Sequence, residues 1–324
     1  MRFSRRGFLG GSGAMLVATA LPAAGSDLLQ IEGPAFGAGW RVRVGSGADA
    51  AAVVRVITGV IASVDAAMSP FRAGSEISVF NRAETLDWQP LSFQTLTTIA
   101  EAQRIADQTQ GAFDPTLGGL VGRYGFGPIT AGPEGAFRDL TVGAGGARKA
   151  HPRQTLDLCG IAKGHALDRC VAALETLGLR RFFLELGGEV AARGLKPDGT
   201  VWRAAVERPL PGQVAPQCVV GLTNEALATS GDLINSYALA GHRYNHIINP
   251  QLLAPSDTAL ASVSVFAARA ITADALATAL FAMGSEQGPA FAQAAGLDAL
   301  FLSRDGPRLR QDITGRFADW IIWG

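Results

Sequence analysis

Asp274 and Thr278 have the spacing of two ligands for one metal ion. Both lie in ITADALATALFAMG, whose apolar residues predict a helix over 271–284 with Thr272 as its N-cap. Residues four apart share one face of a helix, so the carboxylate and the hydroxyl can contact the same ion. With backbone carbonyls they would form the oxygen shell that Mg²⁺ prefers, whereas Zn²⁺ prefers nitrogen and sulfur. The alternative is an aspartate favoured by the helix dipole and a threonine packed outward.

Gly160 lies between a predicted strand over 155–159 and a predicted helix over 161–177. A helix N-terminus presents backbone N–H groups that have no partner inside the helix, and such groups bind phosphate. Asp157 near the end of the strand adds a carboxylate, and Lys163 in the first helical turn adds a positive charge. This junction is therefore a candidate site for a phosphate group. The alternative is a tight turn without a ligand.

The apolar pattern predicts an α+β fold around these residues. Helices are predicted over 49–67, 91–110, 161–177 and 271–284, and strands over 28–44 with an interruption at 36–39, 155–159, 182–186, 190–195, 202–206, 218–222, 260–267 and 298–303. The order strand, helix, strand occurs in 155–195 and again in 260–303, which suggests a pseudo-repeated architecture. No sequence repeat marks two domains, so 28–324 is predicted to be one domain.

The composition argues against a nucleic-acid-binding role and a cysteine metal centre. The chain has 324 residues with 28 basic and 28 acidic side chains, so it lacks the excess positive charge that attracts nucleic acid. Hydrophobic residues make up 48% of the chain and 40 residues are glycine, which indicates a globular, turn-rich protein. The three cysteines, Cys159, Cys170 and Cys218, form no CxxC pair. An odd number leaves at least one of them unpaired within the chain.

Residues 1–24 are predicted to be a signal peptide of the twin-arginine type. The sequence SRRGFL at 4–9 resembles the twin-arginine export motif, and a weakly apolar run and small residues follow it. Cleavage is expected between Ala20 and Ala24. The apolar run contains glycines and ends by Pro22, so it is too short for a permanent membrane span. The twin-arginine route carries folded proteins, which predicts a periplasmic protein.

Separated segments of the chain occur in the same order as motifs of a known family. They are MSPFRAGSEISVFN, GAFDPTLGGLVGRYGFG, LDLCGIAKGHALDRC with LELGGEV, ALATSGDLINSY with HRYNHIINP, and DALAT. Together they resemble the ApbE family of flavin transferases over 36–284. The chain departs from the family pattern at Asn249, where the family usually has aspartate, and in the turn at 251–253. The resemblance implies an ApbE-like, T-fold-related α+β fold with mixed or antiparallel sheets flanked by helices.

The resemblance also implies a reaction and the residues that perform it. Family members split FAD with Mg²⁺ and attach FMN through its phosphate to a Ser or Thr of another protein, releasing AMP. The implied metal ligands are Asp274, Thr278 and the backbone of Gly160. The implied FAD-binding residues are Phe36, Phe71, Ala112, Phe113, Asp114, Asp157, Lys163, Thr229, Ser230, Gly231, His246 and Ile247.

His246 is the candidate catalytic base in this interpretation. An imidazole pKa near neutrality suits the removal of a proton from an attacking hydroxyl at pH 7. The alternative is a histidine packed as an ordinary polar residue of a strand.

Two other activities fit the same residues. Water in place of the protein hydroxyl would give an FAD pyrophosphatase that produces FMN and AMP, and loss of catalysis would give an exported FAD-binding protein. The acceptors that the family usually serves are exported flavoproteins of membrane electron-transfer complexes, including sodium- or proton-linked complexes and the nitrous-oxide respiration system. The expected partners are thus FAD and an acceptor flavoprotein.

Overall fold

The structure is a computed structural model, and it describes residues 28–324 with the exception of 131, 133, 134, 213, 241, 257, 258 and 307. The predicted signal peptide over 1–24 lies outside the described residues. The helices of the described part are α1 Ala50–Met68, α2 Glu76–Arg82, α3 Phe93–Gln108, α4 Gly118–Arg123, α5 Cys159–Thr176 and α6 Ala270–Ala294, with short 3₁₀ turns at Phe137–Asp139 and Phe317–Trp320.

Most of the long strands belong to one antiparallel sheet. The described strands are β1 Leu28–Ala35, β2 Ala38–Gly45, β3 Gln89–Pro90, β4 Leu140–Val142, β5 Gly146–Lys149, β6 Phe182–Leu186, β7 Glu189–Arg193, β8 Trp202–Glu207, β9 Pro216–Leu222, β10 Ala226–Gly231, β11 Ser236–Leu239, β12 His242–Asn245, β13 Ile248–Asn249, β14 Ala254–Pro255, β15 Leu260–Ala267, β16 Asp298–Asp305, β17 Arg308–Thr314 and β18 Ile321–Trp323. The main sheet has eight strands in the order β1-β2-β6-β7-β10-β15-β16-β17, and every neighbouring pair in it is antiparallel. The α+β prediction with sheets flanked by helices is confirmed.

Both faces of the main sheet are covered. Successive residues of a strand point to opposite faces, and the neighbours Phe182 and Phe183 on β6 show this clearly. Phe182 belongs to the core that the sheet forms with α1, α5 and α6, whereas Phe183 packs with Trp202 of β8, with ring centroids 6.3 Å apart. The three-stranded sheet β18-β9-β8 thus covers the face opposite the helices. Because both faces are covered, every residue of β6 is buried.

The main sheet has two halves, β1-β2-β6-β7 and β10-β15-β16-β17. The predicted order strand, helix, strand is observed in 260–303 as β15, α6 and β16. In 155–195 it is not, because the strand that pairs with β6 before α5 is β2, far earlier in the chain, and not 155–159. The prediction of a pseudo-repeat in these two segments is therefore wrong for its first copy.

The segment 155–159 was predicted as a strand, and this prediction is wrong. Leu156 bonds a side chain instead of a neighbouring strand: its N–H donates to Asn81 Oδ1 at 2.7 Å, and its carbonyl accepts from Asn81 Nδ2 at 2.8 Å. Asp157 N–H donates to the carbonyl of Pro115 at 2.7 Å. The extended segment is held by loops, and α5 begins directly after it at Cys159.

The prediction that Thr272 caps α6 is also wrong. The helix begins at Ala270, and Asp168 of α5 accepts hydrogen bonds from the N–H groups of Ala270 at 2.7 Å and Ile271 at 3.3 Å. Thr272 lies inside the first turn, where its hydroxyl donates to Glu101 at 3.0 Å. The cap is therefore supplied by another helix.

Helix α1 is long and apolar enough to cross a membrane by length and composition alone, with a mean hydropathy of 1.7. In this structure the helix is part of the layer on the main sheet, and Val53, Ile57, Ile61 and Val64 lie in the core. Asp49 caps its N-terminus by accepting from Ala52 N–H at 3.0 Å.

Helices α5 and α6 cross very closely at Gly164. A Cβ atom added to Gly164 would lie 2.4 Å from the carbonyl oxygen of Ala270, so only glycine fits without a shift of the helices. The N–H of Gly164 donates to Asp274 Oδ2 at 2.9 Å across this contact. The crossing thereby places Asp274 beside the first turns of α5.

We expect Gly164→Ala to destabilise the protein by about 1–3 kcal/mol, because the added methyl meets backbone atoms in a packed interior. Gly59→Ala is the matched control: Gly59 lies on the exposed side of α1, and a Cβ there meets no atom within 4 Å. That substitution should stabilise the helix by about 0.4–1 kcal/mol. Urea unfolding of both variants measures the difference, and equal midpoints would contradict the close crossing.

Candidate active site

One cavity of about 750 Å³ brings the candidate site residues together. Every residue predicted to contact FAD or the metal ion lines this cavity. They come from turns, from α5 and α6, and from β10, which lie far apart in the sequence. The sequence prediction therefore selected residues that share one place in the fold, and their roles stay predictions.

Asp274 and Thr278 lie on the cavity side of α6, opposite Gly160 of α5. Asp274 is buried and Thr278 Oγ1 lies 3.2 Å from Ser230 Oγ. A Cβ on Gly160 would lie 3.2 Å from Thr278 Oγ1 and from the ring of Phe113, so glycine lets the α5 backbone approach this hydroxyl. No group of three or more His, Cys, Asp and Glu that could hold a metal occurs among the described residues. The predicted site is not such a group, because its ligands are one carboxylate, one hydroxyl and one backbone carbonyl.

The charges around Asp274 fit a divalent cation. Lys163 forms an ion pair with Glu189 Oε1, and its Nζ lies 4.0 Å from Asp274 Oδ1. Glu189 is only 1% exposed, and its Oε2 atom has no hydrogen-bond partner in the described structure. Two buried carboxylates thus share one ammonium group, and their unmet negative charge faces the cavity. The residues therefore fit a Mg²⁺ ion.

Burial and mutual charge shift the pKa values of this group. Burial raises the pKa of Glu189 to about 7 even though Lys163 lowers it. Burial also raises the pKa of Asp274, against the effect of Lys163. For Lys163, burial alone would lower the pKa, but Glu189 and Asp274 raise it overall. Lys163 therefore stays charged, and a second positive charge nearby would favour the ionised carboxylates.

The junction predicted to bind a phosphate lies at the start of α5 and lines the cavity. Asp157 Oδ1 accepts from the N–H of Cys159 at 2.9 Å, which occupies one of the free N–H groups of the helix N-terminus. Cys159 lines the cavity, and desolvation by the surrounding protein together with the Asp157 carboxylate raises the pKa of its thiol well above the ordinary value. Cys159 is thus kept as an uncharged thiol.

Strand β10 adds hydroxyl groups to the wall. Thr229 Oγ1 and Ser264 Oγ lie 2.8 Å apart across the β10–β15 ladder, and Ser230 reaches Thr278 as described above. Gly231 follows, and a Cβ there would lie 2.9 Å from the carbonyl of Ala261. The wall is polar at the point where β10 ends.

The ring of His246 forms one hydrogen bond and packs edge-on against Phe126, with ring centroids 6.3 Å apart. Its Nδ1 lies 3.3 Å from the carbonyl oxygen of Asn235, and its backbone N–H donates to the same oxygen at 3.2 Å. A carbonyl can only accept, so the ring hydrogen bond requires the proton on Nδ1 and leaves the lone pair on Nε2. Burial in the cavity wall lowers the pKa of His246 below its ordinary value of 6.5. The imidazole is therefore neutral at pH 7, with Nε2 able to accept a proton.

Two phenylalanines lie on the rim of the cavity. Phe71 is 71% exposed, which excludes a role as a buried loop anchor. Phe36 lies in the tight turn between β1 and β2, where Phe36 and Gly37 have φ angles of 48° and 78°. Positive φ at both central residues is typical of a type I′ hairpin turn, although phenylalanine seldom adopts it. Both rings are placed to contact a planar ligand.

Asp114 lines the cavity but also holds its own turn. Its Oδ1 accepts from the N–H of Thr116 at 2.7 Å and from the Thr116 hydroxyl at 2.5 Å. Phe113 is buried beside it, and its N–H donates to Thr109 Oγ1 at 3.2 Å. Ala112 and Ile247 belong to the apolar part of the wall. Asp114 and Phe113 therefore stabilise their own turn in addition to lining the cavity.

Sequence reasoning missed Glu189 and Asn235. Glu189 follows the pair Gly187-Gly188, which reads as a turn, and only the folded chain brings it to Lys163. Asn235 contributes a backbone carbonyl, which no side-chain pattern reveals. The unusual Asn249 holds its own turn: Oδ1 accepts from Gln251 N–H and Leu252 N–H, and Nδ2 donates to Ala282 O at 3.0 Å.

Comparison with known proteins agrees with this arrangement. The FAD:protein FMN transferase of Vibrio cholerae is 32% identical over 313 residues, covering 91% of this chain and 93% of that protein. That of Salmonella typhimurium is 29% identical over 312 residues, covering 90% and 89%. Among solved structures, the flavin transferase ApbE from Vibrio cholerae has a TM-score of 0.81 and 30% identity, covering 91% of this chain and 99% of that one.

The apo form of the Pseudomonas stutzeri flavinyl transferase ApbE has a TM-score of 0.82 and 29% identity, covering 90% of this chain and 96% of that one. Residues 24–301 of the chain match the sequence profile of the ApbE family. This match includes every residue of the cavity described above and the main sheet from β1 to the first part of β16. The chain belongs to the ApbE family.

Proposed function

We propose that this protein is an FAD:protein FMN transferase. It transfers FMN from FAD to a Ser or Thr hydroxyl of another protein, with AMP as the leaving group. The observation that carries the proposal is that His246, with its lone pair on Nε2, shares one cavity with the Asp274 and Thr278 pair. The relatives named above, which are FAD:protein FMN transferases, support the same reaction.

The proposed chemistry is a single displacement at phosphorus. The acceptor oxygen forms a bond to the FMN-side phosphorus of FAD, and the bond from that phosphorus to the bridging oxygen breaks. The acceptor hydroxyl loses its proton to Nε2 of His246, and AMP takes the bridging oxygen with its electron pair. A neutral His246 can accept that proton because burial lowers its pKa.

The remaining residues bind and orient FAD. Lys163 and the N-terminal N–H groups of α5 favour the pyrophosphate at the junction, since both carry positive charge. Phe36 and Phe71 on the rim offer planar faces to the flavin ring. Asp274, Thr278 and the carbonyl of Gly160 would hold Mg²⁺. When bound there, the ion neutralises charge on the pyrophosphate.

We infer that the acceptor is an exported flavoprotein of a membrane electron-transfer complex, and that this enzyme is exported to meet it. The twin-arginine-like sequence at 4–9 supports export to the periplasm. The nitrous-oxide respiration system and sodium- or proton-linked redox complexes are the acceptor classes to examine first. The family's usual acceptors support this choice.

The function is tested by incubating the protein with FAD and Mg²⁺, with and without an exported domain of an electron-transfer subunit. A transferase releases AMP in proportion to acceptor that becomes covalently flavinylated, whereas a pyrophosphatase releases AMP without acceptor. Asp274→Asn should abolish Mg²⁺-dependent turnover, since the amide keeps the contact to Gly164 N–H but loses the charge. Glu286→Gln, an exposed carboxylate farther along α6, is the control. AMP release that is equal with and without acceptor would reject transfer.

We expect His246→Ala to lower kcat by about 10²- to 10⁴-fold with little change in FAD affinity, the range for loss of a general base. In the unsubstituted protein kcat should fall only as the pH drops below the ordinary histidine range, because burial lowers the His246 pKa and protonation removes the base. Stopped assays from pH 5 to 8 measure this limb. An unchanged kcat in His246→Ala would remove His246 from the mechanism.

The proposed export route predicts that the double variant Arg5→Lys with Arg6→Lys stays in the cytoplasm as the precursor. The reason is that the paired arginines are the signal that the export receptor recognises. Cell fractionation and immunoblotting compare the variant with the parent chain. Arg55→Lys, an exposed arginine of α1, serves as the control. Mature protein at parental level in the periplasm of the double variant would mean another export route.

A further inference from the structure

Asp232 is a buried carboxylate clamped by two arginines outside the cavity wall. It follows β10 directly and is only 2% exposed. Arg304 of β16 donates to it with both terminal nitrogens, Nη1 to Oδ2 at 2.9 Å and Nη2 to Oδ1 at 2.5 Å. Arg243 of β12 donates Nε to Oδ2 at 2.6 Å. A carboxylate that accepts three charge-assisted hydrogen bonds is strongly fixed in place.

Asp232, Arg243 and Arg304 together form what we call the clamp. The clamp connects the main sheet to a separate hairpin. Strands β11 and β12 pair only with each other among the described strands, so no ladder joins the hairpin to the main sheet. The carbonyl of Asp232 accepts from Arg243 Nη2 at 2.7 Å and from the Ser236 hydroxyl at 2.6 Å. Arg304 belongs to the main sheet and Arg243 to the hairpin. Asp232 is therefore the polar link between the two.

His246 and its partner lie at the two ends of this hairpin. Asn235 immediately precedes β11, and His246 immediately follows β12. The ring contact from His246 Nδ1 to the Asn235 carbonyl therefore depends on where both hairpin ends are held. Other contacts also support the hairpin: Asn245 Nδ2 donates to Ser256 O at 2.7 Å, and the Tyr237 hydroxyl donates to Tyr124 O at 3.2 Å. The rings of Tyr124 and Phe126 stack on Tyr244 and Tyr237 of the hairpin. None of these contacts carries an ionic charge or involves the loop 233–235.

We propose that Asp232, held by Arg304 and Arg243, is the positioning residue for His246. By fixing the loop 233–235 and the base of the hairpin, it presents the Asn235 carbonyl to Nδ1 and so keeps Nε2 free and directed for proton removal. None of Asp232, Arg243 and Arg304 lines the cavity. The kinetic part of this inference rests on the proposed transferase function, whereas the tautomer part does not.

The tautomer is tested by ¹⁵N NMR of the histidine rings in the full chain, with the His246 signals identified by their absence in His246→Ala. We expect the Nδ1–H form in the unsubstituted protein and a mixture of the two tautomers in Arg304→Met. Arg310→Met, which removes an exposed arginine that pairs with Asp312 within β17, should leave the spectrum unchanged. A native-like Arg304→Met protein with an unaltered His246 tautomer would overturn the proposal, as would an Nε2–H form in the unsubstituted protein.

A double-mutant comparison tests whether the clamp acts through His246. Arg304→Met should lower kcat by roughly 10- to 100-fold with FAD KM changed little, the usual effect of removing a partner that orients a catalytic group. In the His246→Ala background the same substitution should have no further effect on kcat. An equal further loss in that background would assign the clamp to general structure and reject positioning. Absence of any FMN transfer by the unsubstituted protein would instead reject the proposed function and leave the NMR result standing.

Arg304→Met leaves the buried Asp232 with one arginine, so a second variant separates loss of positioning from loss of stability. The double variant Asp232→Asn with Arg304→Met removes the buried carboxylate and Arg304 together. Arg243 then loses its ionic partner, but its side chain is 39% exposed, so its charge is solvated. It should show the same mixed tautomer and the same loss of kcat. Restoration of the single Nδ1–H form in this folded double variant would contradict the role of the carboxylate.

Discussion

The hydrogen bond from Gly164 N–H to Asp274 is the contact on which the site depends. It exists because glycine allows the backbones of α5 and α6 to approach at this point. The same crossing sets the separation between Gly160 and Lys163 on one helix and Asp274 and Thr278 on the other. A wider crossing would separate the candidate phosphate corner from the candidate metal ligands. Helix packing thus determines the dimensions of the polar end of the cavity.

The site contains a cluster of charged groups, although the net charge of the protein is zero. The chain has equal numbers of acidic and basic residues, yet its cavity contains two buried carboxylates around one ammonium group. Such a group is costly to bury unless each charge finds a partner. A divalent cation with an anionic substrate would supply those partners. The charges of the cavity are therefore consistent with the proposed binding of a cation together with a pyrophosphate.

Much of the fold followed from local patterns in the sequence. The alternating residues of β15 and the apolar periodicity of α1 are local properties, and both elements were predicted close to their observed bounds. The segment 155–159 also alternates, but its backbone partner is the side chain of Asn81, 75 residues earlier. The cap of α6 likewise comes from Asp168, 102 residues before Ala270. Interactions over such distances leave no periodic signal in one sequence.

The candidate site shows the same limit. Motif resemblance selected residues that share the cavity, because a family's motifs record which residues were kept together. It gave no role to Glu189 or Asp232, whose partners appear only when α5, β7, β12 and β16 meet. The contribution of backbone groups such as the Asn235 carbonyl could not be predicted from the sequence either. Side-chain chemistry was thus predictable to a large extent, and the groups that orient it were not.

The two halves of the main sheet contribute separate parts of the cavity. Gly160 and Lys163 come from the helix that precedes β6, and Asp274 and Thr278 come from the helix that joins β15 to β16. Neither half contains a complete site, so a ligand that contacts both binds only the chain with its halves docked. Binding is then linked to global folding: ligand at one hundred times its Kd would add about 2.7 kcal/mol to the free energy of unfolding. Substrate occupancy would therefore protect the whole chain from proteolysis, including strands that never touch the ligand.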